Sequence, residues 1–348
     1  MGSRPASWRA DRALGLALGL GLAGAASDAE TLPARRGPLE SRDEWLLAQP
    51  RLTLPAVSPD PLRRGETRFS VELDWGNDFG LAERAYATDG IGMLVDGEHR
   101  TAALDVRRGF TSSLTLGLRV PLRWRGPGVM DGLIDGWHHL TGLPDNRRSY
   151  FPNGRMRVEG RDDRFRPLAW QGSPGAGLGD VELLAHWAFR RPARGGWTAA
   201  VVGRAALPTG SGPFHAGGVD AGAQIVAAHS LGRATDVYLG LGGTVFSDAE
   251  RDGLDYERRR AHGFLAFEWR PARRLSLLME ASYASRLLSG VPACTGRPVY
   301  VKAGVKREVR HGWLLQLGIV EGVASVQSTT DFGVLLGLSR TFGGPGLR

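Results

Sequence analysis

The chain of 348 residues is long enough for two average soluble domains or one large all-β barrel, and its 50 glycines are about twice the usual share. Glycine without a G-X-Y period excludes collagen, the single Cys294 excludes a disulfide framework and a Cys-based zinc site, and past the N-terminus no apolar run approaches the ~18 residues of a membrane helix. The net charge of +8 rests on arginine, since Lys302 and Lys306 are the only lysines.

Residues 1–25 read as a secretory signal peptide. Arg4, Arg9 and Arg12 precede the apolar run Ala13–Ala23, and Ala23-Gly24-Ala25 fits an A-x-A cleavage site, with cleavage as late as residue 29 the alternative. Residues 26–66 are rich in Pro and Arg, lack periodicity and read as a periplasmic N-terminal arm. From Arg68 the period becomes two: Phe69, Val71, Leu73 and Trp75 alternate with Ser70, Glu72 and Asp74. Ala102–Arg107, Leu114–Leu122, Val181–Arg190 and Trp197–Arg204 repeat the pattern. Further candidates lie at 217–229, 234–246, 261–270, 274–285, 298–308, 312–321 and 331–342. Segments of about 9 to 13 residues suit tilted strands that cross a bilayer.

The predicted connections alternate long and short: 76–97 then 109–112, 123–177 then 191–196, and so on to 322–330. That is the habit of an outer-membrane barrel with short periplasmic turns and long outer loops. Aromatics at strand ends predict two girdles. Trp75, Trp124, Phe246, Tyr283, Tyr300 and Phe332 mark the long-loop end, and Phe110, Phe189, Trp197, Trp269, Trp313 and Phe342 the short-turn end. The fold class is therefore all-β: a transmembrane antiparallel up-and-down β-barrel of about twelve strands over residues 67–342. One long, partly helical outer loop spans 123–177, residues 343–348 form a C-terminal tail, and a monomer is favoured.

Leu114–Leu122 (LTLGLRVPL), Met130–Arg147 (MDGLIDGWHHLTGLPDNR), Gly177–Trp187 (GLGDVELLAHW), Leu207–Gly210 (LPTG) and Asp331–Phe342 (DFGVLLGLSRTF) resemble an uncharacterised family of Gram-negative outer-membrane β-barrel proteins, classed as a domain of unknown function. The resemblance covers roughly residues 38–342. It implies an outer-membrane location after signal-peptide cleavage, and no established activity. Strands of such barrels usually end the chain on an aromatic that the outer-membrane insertion machinery, an expected partner, reads. Here Phe342 is followed by Gly-Gly-Pro-Gly-Leu-Arg.

Several groups are candidates for function. In the long loop, Val129, Met130, Leu133, Ile134, Trp137 and Leu140 keep the spacing of a short helix, with Asp131, Asp135, His138 and His139 on its other faces. Together with Trp137 these four are the loop's site candidates. Asp135 and His139, four apart, could hold a metal or orient a base, but adjacent imidazoles converge poorly on one ion, so no metal and no cofactor are expected. Arg147, Arg148, Arg155, Arg157, Arg161, Arg164 and Arg166, with the outer loop Arg251–Arg260, could grip the phosphates of lipopolysaccharide or pair with nearby carboxylates. Inward-pointing Glu72, Asp74, Asp105, Arg107, Arg119, Glu182, His186, Arg204, Asp236, Glu268, Lys302, Lys306 and Arg340 either pair as ladders or line a polar pore.

For a hydrolase the only local Ser–His pairs are His229-Ser230 and His215 near Ser211, and no G-x-S-x-G elbow occurs. A non-enzymatic protein is thus expected, in contact with outer-membrane lipid and lipopolysaccharide and not with nucleic acid. The function expected is a narrow passive channel for small polar or anionic solutes. The alternatives are a structural barrel that binds lipopolysaccharide through its arginine-rich loops, and an outer-membrane lipid hydrolase.

Overall fold

In the computed structural model, described over residues 35–42, 45–83, 91–142, 148–160, 174–191, 196–251, 254–291, 294, 296–325 and 328–343, twelve antiparallel strands close on themselves. The expected signal peptide and most of the C-terminal tail lie outside the described residues. The wall consists of β1 (Thr67–Glu83), β2 (Ile91–Gly109), β3 (Leu114–Gly126), β4 (Val181–Arg190), β5 (Thr198–Leu207), β6 (Asp220–Ser230), β7 (Thr235–Val245), β8 (Arg259–Ala272), β9 (Leu275–Ala284), β10 (Val299–Glu308), β11 (Trp313–Ala324) and β12 (Phe332–Phe342). Each strand pairs with its neighbours in sequence, and β12 returns to β1 with Thr67 opposite Phe342 and Asn77 opposite Phe332. The ladder has no free edge, so every wall strand is bonded on both sides.

Period two decides which side each residue faces. Along β8, Leu265, Phe267 and Trp269 stand on the outer surface at 44–46% exposure, while Phe264, Ala266 and Glu268 point inward and are buried. The same alternation on the other strands leaves Phe69, Val71, Leu104, Leu118, Ile225 and Leu338 exposed on the outer face. An apolar belt around a closed ladder is the surface of a barrel solvated by hydrocarbon, and among the described residues nothing covers it.

Three features depart from the expected layout. The region 76–97 is mostly strand: β1 and β2 pair as far as Glu83 and Ile91. Gly76, Asn77, Asp78 and Gly80 break the apolar alternation, yet cross-strand pairing continues because Phe79, Met93, Leu94 and Val95 are buried over the barrel mouth. The short-turn girdle is exposed, with Phe110 at 51%, Phe189 at 49% and Trp269 at 46%. The long-loop girdle is not a ring: Tyr300 shares the inward parity of Lys302, Phe246 packs on Arg51, and Phe332 lies beneath the loop helix. Finally, α1 (Asp131–Thr141) forms where the apolar spacing placed a helix, and Gly142, at φ 72°, ends it by donating its N–H to the His138 carbonyl. Of the helical stripe Met130, Ile134 and the half-buried Trp137 pack inward, while Val129, Leu133 and Leu140 stay exposed.

Candidate functional site

The arm expected in the periplasm runs through the lumen instead. Its residues 35–37 sit at the short-turn end, where the N–H groups of Arg36 and Gly37 donate to Glu268 at 3.1 Å. Residues 45–51 reach the long-loop end, where Leu46 N–H donates to Asp78 at 3.0 Å and Tyr256 Oη to the Leu47 carbonyl at 3.1 Å. The chain then turns back, and Leu62 N–H meets Thr115 Oγ1 (2.9 Å) near the β2–β3 turn before β1 begins. The arm is thus a hairpin-shaped plug along the whole barrel. Its apolar residues Leu39, Trp45, Leu46, Leu47, Leu52 and Val57 are all at most 3% exposed. Burying such side chains contributes about 1.5–3 kcal/mol each, which offsets the ordering of an otherwise irregular segment.

Charge complementarity holds the plug in register. Arg42 pairs with Glu182 at 2.8 Å, and Arg51 lies 3.5 Å from Asp220 with its guanidinium 4.3 Å above the Tyr256 ring. Glu40 accepts from Arg107 at 2.5 Å. Lys306 donates to the Pro38 carbonyl at 2.7 Å, Gln224 to Pro55 at 2.8 Å, and the His186 ring lies 3.1 Å from the Pro59 carbonyl. Glu268 also accepts from Tyr238 (2.5 Å) and Ser276 (2.6 Å). Polar groups taken from water are affordable only with such partners. Two gaps beside the arm, one lined by Arg42, Asp74 and His99 and one by Glu40, Arg68 and Lys306, have volumes of about 20 and 10 Å3, room for about one water.

Twelve of the thirteen residues expected to face inward do so and are buried: Glu72, Asp74, Asp105, Arg107, Arg119, Glu182, His186, Arg204, Asp236, Glu268, Lys302 and Lys306. Some pair within the wall, as Arg119 with Glu72, Arg107 with Asp105 (2.7 Å), Lys302 with Glu280 (2.8 Å) and Arg270 with Asp236 (2.5 Å). Arg340 is the exception. It shares the parity of Leu336 and Leu338, so it points outward, over the rings of Trp313 and Phe342 at the edge of the apolar belt. Sequence reasoning missed Glu40, Arg42, Arg51 and Asp220 because the arm was assigned to solvent. The apolar runs Trp45-Leu46-Leu47 and Leu52–Val57 inside that polar segment were the signal.

Among the loop candidates, Asp135 and His139 are exposed and form no cluster, whereas Asp131 and His138 are buried on the face of Ile134. Asp131 accepts from Gly154 N–H (2.6 Å), Asn77 (3.0 Å) and Arg148. Against burial, which raises it, the Gly154 N–H and the Arg148 guanidinium hold its carboxyl below the usual range. Arg148 also bridges Asn77 (2.7 Å) and Asp331 (3.0 Å), so it is a buried tie and not a surface phosphate ligand. Arg260 is buried as well, Arg155 is exposed, Arg157 pairs with Glu159 (2.7 Å), and Arg147, Arg161, Arg164 and Arg166 lie outside the described residues. The Ser–His pairs are otherwise engaged: Ser230 donates to Asp236 (2.5 Å) while His229 stacks on Trp197, and Ser211 accepts from Leu178 N–H while His215 accepts from Gly217 N–H.

A family model described as "Protein of unknown function (DUF3187)" matches residues 20–342. No curated protein matches the chain significantly. Among solved structures, the COG4313 outer membrane channel from Pseudomonas putida F1 is similar at a TM-score of 0.56 and 14% identity, over 82% of this chain and 98% of that one. The NanC porin (TM-score 0.45, 4% identity, 79% and 99% covered) and the P. putida toluene transporter TodX (0.41, 13%, 80% and 90%) align more loosely. The likeness to the first is one of fold.

Proposed function

Because the chain belongs to the DUF3187 family of proteins of unknown function, its own geometry has to supply the activity, and from it we propose an outer-membrane channel kept closed by its N-terminal arm. The observation that carries this reading is the match between arm and wall: Arg42, Arg51 and the N–H groups of residues 36 and 37 meet Glu182, Asp220 and Glu268, each on a different strand. A barrel of twelve strands is wider than one that side chains alone can fill, and here a segment of the same chain takes up the space. The arm is held by polar contacts and by its buried apolar side chains but contributes no strand to the closed ladder, so it can be withdrawn without breaking that ladder. What it uncovers is a surface bearing charges of both signs, which suits small polar solutes. The apolar belt supports an outer-membrane location, reached after cleavage of the expected signal peptide, with lipid and lipopolysaccharide around it and the insertion machinery as its route. A passive role fits better than hydrolysis, given how the serines and histidines are engaged.

Swelling of proteoliposomes in small sugars and amino acids tests the reading. Intact protein is expected to admit them slowly, and a chain carrying both Arg42→Ala and Arg51→Ala several-fold faster, since each change leaves a wall carboxylate short of its arm partner. Equal, negligible swelling by both, with the folded barrel verified by its heat-modifiable gel shift, would contradict a plug that gates passage.

A further inference from the structure

Where α1 meets the wall, the geometry points to a divalent-cation site of the zinc type, formed by His138 Nε2, Glu321 Oε1 and Asp331 Oδ1. The three residues come from three separate segments: the loop helix, the end of β11, and the position just before β12. His138 Nε2 lies 3.7 Å from Glu321 Oε1 and 4.0 Å from Asp331 Oδ1, and one ligand atom from each residue falls within 4.8 Å of the other two. Around a tetrahedral Zn²⁺ with bonds of about 2.0 Å, ligand atoms stand about 3.3 Å apart. Small side-chain rotations close the difference.

The histidine is the observation that calls for a ligand. His138 is 4% exposed, and neither of its ring nitrogens has a hydrogen-bonding partner. Nε2 faces the two carboxylates from beyond hydrogen-bonding distance, and a buried imidazole with no hydrogen bond is costly and seldom left so in native structures. The carboxylates are oriented for it from behind: Trp137 Nε1 donates to Glu321 Oε2 (3.3 Å) and Arg148 Nη1 to Asp331 Oδ2 (3.0 Å), which leaves Oε1 and Oδ1 toward the imidazole. Outer contacts of this kind fix metal ligands in place. The local charge also favours a cation, because among the described residues of this network the carboxylates of Glu321, Asp331 and Asp131 meet one permanently charged cation, Arg148. One nitrogen with two carboxylate oxygens suits Zn²⁺, with water as fourth ligand, better than the oxygen-only preference of Ca²⁺ or Mg²⁺. A bound ion would staple the loop helix to β11 and β12 at the long-loop end. The exposed Asp135–His139 pair takes no part in it.

Equilibrium dialysis of the refolded, chelator-treated full chain against Zn²⁺, with millimolar Mg²⁺ and Ca²⁺ present, tests the site. One Zn²⁺ per chain is expected, with affinity reduced at least about tenfold by His138→Ala and by Glu321→Gln and unchanged by His139→Ala. Glu321→Gln preserves the shape of the Trp137 contact, so it decides the matter if His138→Ala loses the folded, heat-modifiable band. Absence of stoichiometric binding to the intact chain, equal binding by the intact chain and Glu321→Gln, or displacement of Zn²⁺ by Mg²⁺ or Ca²⁺ would each overturn the assignment.

Discussion

Removing residues 35–60 is expected to turn a barrel that conducts little into one that conducts steadily, with unitary conductance in planar bilayers higher by roughly tenfold or more. The wall does not depend on the arm for closure: β1 pairs with β12 along the whole of β12, and each neighbouring strand pair is antiparallel. What the arm supplies is matter in the lumen. Without it Glu182 keeps Arg204 at 3.3 Å and Arg107 keeps Asp105, but Asp220 and Glu268 face water, and the apolar floor built from Leu39, Val57 and their neighbours is gone. Hydration replaces the plug along the path it occupied. Recordings at both polarities, on protein whose gel shift shows a folded barrel, read the effect. No gain in conductance would mean that something other than the arm closes the lumen.

Glu268→Ala is expected to lower the unfolding free energy by about 3 kcal/mol, measured as a shift in the urea midpoint of the refolded protein. Glu268 is fully buried and gathers donors from three places: the arm backbone at residues 36 and 37, Tyr238 on β7, and Ser276 on β9. Truncation strands those donors together, and buried donors without acceptors cost about 1–3 kcal/mol apiece before relaxation. Because the carboxylate is where the arm is fixed at the short-turn end, the same variant should also conduct more than the intact chain. A shift within about 0.5 kcal/mol, the range of ordinary surface substitutions, would show that the arm is not anchored there.

Most of the wall was legible because β-barrel strands obey a local rule. In Phe264–Trp269 the residue's parity alone says which side it faces, and the twelve segments, their alternating connections and the helix in the long loop all follow from spacing of this kind. Strict parity also puts Arg340 outward with Leu336 and Leu338 and Tyr300 inward with Lys302, whereas the expectation from the sequence has Arg340 in the lumen and Tyr300 in an aromatic girdle. The arm was not legible in the same way. Residues 35–66 have no period, because a plug is shaped by the lumen around it, and its partners lie far off in sequence: Arg42 and Glu182 are 140 residues apart, Arg51 and Asp220 joined across a similar span. Such pairs leave no local trace. The cluster of His138, Glu321 and Asp331 hid for the same reason, since spacing on the helix directed attention to Asp135 and His139 while the carboxylates that meet His138 come from the opposite end of the chain.

The central claim is that residues in the arm lie inside the barrel, and thiol accessibility at Ser41 tests it most directly. Ser41 is 1% exposed in mid-arm, Ser112 is exposed in the β2–β3 turn, and the native Cys294 is 1% exposed and so serves as a silent background. With a small methanethiosulfonate reagent in detergent, Ser41→Cys should stay unmodified over the time in which Ser112→Cys reacts to completion, and should react fully once the barrel is unfolded. Modification of Ser41→Cys at the rate of Ser112→Cys in the folded protein would contradict an arm buried in the lumen.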